Sequence, residues 1–106
     1  MELTGKALLD FWSWYLLPKQ RKTYQTDLRL FTSSIVKVRF FNLSLAERWG
    51  VYQDFADILG IEIYAEKSLC REGFVSLTDS YPCGYFNTRT EARADAINKL
   101  NEILNK

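Results

Sequence analysis

Ser44-Leu-Ala-Glu-Arg-Trp-Gly-Val-Tyr-Gln-Asp-Phe-Ala-Asp-Ile-Leu-Gly60 decides the fold. Ser44 and Glu47 have the spacing of a capping box, in which the serine oxygen accepts one orphan N–H and the glutamate reaches back for another. Leu45, Trp49, Tyr52, Phe55, Ala56 and Leu59 then recur at helical spacing, widened by Val51 and Ile58. Glu47, Gln53, Asp54 and Asp57 take the opposite face, and Gly60 is suited to the C′ position. This is an amphipathic helix that needs a partner layer.

Downstream the period changes from helical to two. Ile61, Ile63 and Ala65 alternate with Glu62, Tyr64 and Glu66, which reads as a half-buried strand. Past a turn near Arg71–Gly73, Phe74–Thr78 reads as a second strand. The stretch Asp79–Gly84, containing Pro82, reads as a loop before a third strand, Tyr85–Asn87. Such short connections imply antiparallel hairpins. Thr88-Arg-Thr-Glu91 is a second capping box and opens a helix running to about Leu104. Ala92, Ala96, Ile97, Leu100, Ile103 and Leu104 form its inward stripe, whose alanines allow close approach to the sheet.

Upstream, a first helix is expected from Gly5 to Leu17 behind Thr4, with Pro18 ending it. Leu8, Phe11, Trp12 and Tyr15 form its buried stripe, which leaves Trp14 and Leu17 outside. Residues 18–34 are basic and polar without clear period. Val36, Val38 and Phe40 alternate with Lys37 and Arg39, so Val36–Phe41 reads as a strand, which would be a fourth. The expected class is α+β, in the order α-(β)-α-β-β-β-α: a small antiparallel sheet of three or four strands covered by helices. Residues 1–106 form one domain, with an N-terminal helix over 1–17, a basic segment over 18–41 and the α-β-β-β-α core over 44–105.

Composition narrows the function classes. Seven Phe, six Tyr and three Trp in 106 residues supply bulky apolar mass for a core and leave some for a partner. The formal net charge of +1 gives no global attraction to nucleic acid or anionic lipid. Residues 19–39 nevertheless hold six basic side chains against the single acid Asp27. The apolar run Ala7–Leu17 contains Asp10 and is about half the roughly 20 residues that cross a bilayer. No secretory signal is visible, so Cys70 and Cys83 are expected as reduced thiols in the cytoplasm, although one disulfide between them is open.

The chain has no histidine, which removes the commonest general base and a usual metal ligand. No nucleophile elbow, phosphate-cradling glycine loop or dinucleotide fingerprint is present. Asp54 and Asp57 share a helix face and Glu62 and Glu66 a strand face; a solvated helix surface is the ordinary account of the aspartate pair. The expectation is therefore a non-enzyme without cofactor or metal.

Three sets of residues remain as contact candidates. Arg89 and Arg93 sit in the first turns of the last helix, where cations oppose the helix dipole. Either a carboxylate such as Glu62 or Glu66 compensates them, or a phosphate or acidic partner docks there. Lys19, Arg21 and Lys22 could add phosphate contacts, or form an ordinary solvated segment. Trp14 and Leu17 could dock a protein or a second copy of this chain, or be covered by residues 18–34.

Two resemblances bear on these readings. The α-β-β-β-α order resembles the double-stranded-RNA-binding domain, which implies phosphate contacts by Arg89 and Arg93. Thr88-Arg-Thr-Glu-Ala-Arg93 replaces that family's lysine run, and Arg71–Gly73 lacks its Pro-His element, so the likeness is one of topology. Residues 40–106, through Trp49-Gly-Val and Arg89-Thr-Glu-Ala-Arg93, are similar to small proteins of Bacteroidetes phages, prophages and mobile elements. That resemblance implies a phage-like setting inside a bacterial host and no catalytic activity. The sequence thus points to an accessory protein acting by protein–protein binding, with a nucleic-acid-binding module as the alternative.

Overall fold

The computed structural model describes residues 1–17, 20, 32–79 and 81–106. Helix α1 spans Gly5–Tyr15, α2 Ser33–Phe41 and α3 Leu45–Ile58. Strands β1 (Ile63–Lys67), β2 (Phe74–Thr78) and β3 (Tyr81–Phe86) follow, and α4 spans Arg89–Leu104. The fold is α+β, with a three-stranded antiparallel sheet in the order β1-β2-β3 packed against helices.

Helix α3 is capped as its sequence predicts. Ser44 Oγ accepts from Glu47 N at 3.2 Å, while Ser44 N donates to Glu47 Oε1 at 3.3 Å. Gly60, with φ of 76°, follows the C-cap Leu59 in the left-handed conformation expected of C′. At α4, half of the expected box forms. Thr88 Oγ1 accepts from Glu91 N, but the glutamate carboxylate bonds the Thr88 hydroxyl and not its backbone.

The segment Val36–Phe41 is a correction: it belongs to helix α2 and not to a strand. Thr32 caps that helix, its side chain accepting from Ile35 N at 3.4 Å. Val36 and Phe40, four residues apart, face the core, and Val38 faces out. Apolar residues on both sides of this short helix imitate the alternation of a strand. The third strand also starts earlier than expected, at Tyr81. Thr78 pairs with Tyr81 and Ser76 with Gly84, so β3 carries one extra residue between these pairs. A bulged edge strand accommodates Pro82, which otherwise reads as a loop signal.

Helix α4 lies across all three strands. Ala92, Ala96, Ile97 and Leu100 meet the inward residues Ile63, Ala65, Ser76 and Thr78, all of them buried. A second part of the core is aromatic and joins α1, α2 and α3. Phe11 lies at its centre, with ring centroids of Trp12, Phe40, Tyr52 and Phe55 between 5.0 and 5.4 Å away. Burial pushes the Tyr52 hydroxyl from 10.0 up to about 12, with Arg48 pulling the other way. Its approach to the Leu3 backbone falls short of a well-formed hydrogen bond.

The two ends of the chain are tied by Asn101 and Asn105. Asn101 Oδ1 accepts from Thr4 N at 2.8 Å, and Asn105 Oδ1 accepts from Ala7 N at 3.0 Å. Their amides donate in turn to Glu2 O and Thr4 O, each at 2.9 Å. Thr4 stands at the expected N-cap of α1, yet its side chain makes no capping bond. Asn105 serves an orphan N–H of α1 from the far end of the sequence.

Candidate functional site

Helices pack on one face of the sheet, and strand periodicity dictates what its other face carries. On β1 the buried residues are Ile63 and Ala65, so Tyr64 and Glu66 point away from α4. On β2 the buried residues are Ser76 and Thr78, so Val75 and Leu77 point the same way as Tyr64. Register then places Tyr64 opposite Leu77, Glu66 opposite Val75, and Val75 opposite Tyr85. The result is an apolar patch of two tyrosines, a leucine and a valine across three strands. Tyr64 and Tyr85 are each 41% exposed and Leu77 is 37% exposed, too much for core residues.

Charged groups frame this patch. The Arg71 guanidinium lies 3.6 Å from the Tyr85 ring centroid, closing one side by a cation–π contact. On the other side Glu62, Tyr64, Leu77, Thr78 and Asp79 line a shallow hollow of about 290 Å³. Asp79 Oδ2 accepts from Glu62 N at 3.2 Å, which holds the hollow's acidic end in place. Glu62, Glu66 and Asp79 are exposed and form no ion pair among the described residues.

Arg89 and Arg93 occupy the start of α4, on the other side of the sheet. The Arg89 guanidinium sits 5.1 Å from the Phe74 ring centroid, and that of Arg93 5.9 Å from Trp49. The expected compensation by Glu62 or Glu66 does not occur. The even-numbered side chains of β1 face away from α4, so geometry forbids that pairing. Arg93 is half-buried, and its Nε is enclosed without a hydrogen-bond partner among the described residues. Lys19, Arg21 and Lys22, the remaining candidate anion contacts, lie outside the described residues.

Of the candidate protein contacts, Leu17 is 48% exposed. Trp14 is half-buried, and its ring packs 5.5 Å from Phe55 and 5.9 Å from Phe11, against the edge of the aromatic core. Tyr64, Val75, Leu77 and Tyr85 were not among the candidates. The available signal was a tyrosine between two glutamates on the solvent-facing parity of β1, with a leucine at the matching position of β2.

Among the described residues no group of three His, Cys, Asp or Glu side chains could hold a metal ion. Cys70 and Cys83 are free and exposed. Among the described residues no helix is long and apolar enough to cross a membrane. Comparison with family models, with curated proteins and with solved structures gives no match.

Proposed function

We propose that this chain is a non-enzymatic accessory protein that acts by binding another protein through the face of its sheet that no described helix covers. The observation that carries this reading is the cross-strand patch of Tyr64, Val75, Leu77 and Tyr85. Tyrosines bring large, rigid contact area with a polar tip, and an apolar centre with a charged rim is the usual anatomy of a protein interface. Trp14, half-buried against the aromatic core, and the exposed Leu17 remain candidate contacts beside this face-centred reading. The resemblance of residues 40–106 to small phage and mobile-element proteins supports a role in the cytoplasm of a bacterial host.

Capture from bacterial lysate with the full-length chain tests this. Nuclease treatment removes complexes bridged by nucleic acid. The expected result is a protein partner retained after nuclease and lost when Tyr64→Ala and Leu77→Ala are combined. Both residues are exposed, so the variant should keep its melting temperature within the effect of about 1 kcal/mol. A partner held equally by the variant contradicts the reading.

One observation favours a nucleic-acid reading. Arg89 and Arg93 have no carboxylate partner among the described residues. That reading requires binding that falls steeply with salt and is lost in Arg89→Ala with Arg93→Ala. The acids around the sheet patch argue that any such contact lies at α4 and not at the sheet.

A further inference from the structure

Two exposed apolar surfaces of this chain carry opposite charge. The sheet face has Tyr64 and Leu77 beside Glu62, Glu66 and Asp79. The outward side of α2 has Ile35 and Val38, 43% and 61% exposed, beside Arg39. Ser34, Ile35, Val38, Arg39 and Asn42 share one helix face and line a hollow of about 400 Å³. Lys37 lies off this face, its Nζ 5.5 Å from the ring centroid of the core residue Trp12, so Arg39 is the cation of the surface. Arg39 is exposed and has no ion pair among the described residues.

A nine-residue helix with Val36 and Phe40 in the core and Ile35 and Val38 on the outside is apolar on opposite sides. Helices of that kind are normally covered on both. An antiparallel sheet with one helix-covered face and an apolar patch on the other has the matching need, which a helix laid across it meets.

We infer that the occupant of the sheet face is a second copy of this chain, docked through its α2. Ile35 and Val38 lie on Tyr64 and Leu77, and the cation Arg39 faces Glu62, Glu66 and Asp79. This rests on the sheet face being the binding surface, and it names the partner. Each copy offers one helix surface and one sheet surface, so two copies can pair reciprocally about a two-fold axis, and successive copies can join head to tail into rings or open chains.

Sedimentation velocity on the full chain tests this, with two variants at exposed positions whose folding is checked by melting temperature. Val38→Glu spoils the helix surface, and Leu77→Lys spoils the sheet surface. The wild-type chain should shift to larger species from micromolar to millimolar concentration, and less so in high salt. Each variant alone should stay monomeric. Mixed together they should form a dimer and nothing larger, because one intact helix surface meets one intact sheet surface. A wild-type chain that is monomeric throughout overturns the inference, as does a mixture that does not associate. If that happens while Leu77→Lys still loses a partner captured from lysate, the sheet reading stands and only the self-docking fails. If Leu77→Lys changes neither measurement, both fall.

Discussion

Single side chains in this structure act through what surrounds them. Tyr52 shows this in its titration, since its hydroxyl is enclosed by the aromatic core and has its proton held up to about 12 against an ordinary 10.0. Below about pH 10 the folded and unfolded chains both keep that proton, so its contribution to stability is complete. Between pH 10 and 12 only the unfolded tyrosine ionises, and stability falls. Denaturation of the wild type and of Tyr52→Phe across that range should show the fall reduced in the variant. At neutral pH the variant should lose little, because the removed hydroxyl has no well-formed bond. An equal pH dependence in the two proteins would contradict this account. Asn105 is the opposite case, an exposed residue with structural weight. Asn105→Ala removes bonds to Ala7 N and Thr4 O and should cost about 1–2 kcal/mol, read from the denaturation midpoint. Gly5 has φ of 56° and would place a Cβ 2.9 Å from Asn105 Oδ1, so Gly5→Ala should also destabilise. Part of its cost should vanish in the Asn105→Ala background, where the clash is gone and the backbone strain is not.

At the scale of elements, the caps rank by what each carboxylate binds. Glu47 accepts the Ser44 backbone N–H, whereas Glu91 reaches only the Thr88 hydroxyl. Glu47→Ala should therefore destabilise more than Glu91→Ala, and Ser44→Ala should cost about 1 kcal/mol. Equal losses for the two glutamates would show that the second box closes in solution. These elements also show which parts of the fold were legible. Helix α3 declared itself through cap, C′ glycine and the middle of its stripe, Trp49 to Ala56, while the expected inward residues Leu45, Ile58 and Leu59 at its ends are exposed. Strand β2 fell on its expected residues. Helix α2 was hidden because period two and a both-sided apolar helix give the same pattern over six residues. Strand β3 was hidden by Pro82 and Gly84, whose meaning as bulge residues depends on the strand beside them. The Asn101 and Asn105 clasp was invisible for another reason: it joins the two ends of the chain. For the candidate site, the alternation placed Tyr64 on the outward side of β1. Only the register showed that Leu77, Val75 and Tyr85 join it.

For the whole molecule, the arrangement divides labour between two surfaces of one sheet. Its inner surface is small and smooth, with Ala65, Ser76 and Thr78 under the alanines of α4, which lets helix and sheet approach closely. Its outer surface is aromatic, framed by acids and by Arg71, and covered by no helix among the described residues. Arg89 and Arg93, on the side of α4, lie 5.1 and 5.9 Å from the ring centroids of Phe74 and Trp49. This separation gives the binding account its sharpest consequence. Amide resonances of the isotope-labelled chain can be followed while a partner captured from lysate, or a second population of the chain itself, is added. The account predicts that shifts concentrate on Tyr64, Val75, Leu77 and Tyr85, joined by Ile35, Val38 and Arg39 when the added protein is the chain itself, with α4 unmoved. Shifts confined to Arg89, Arg93 and the start of α4 would contradict it and move the binding surface to the helix.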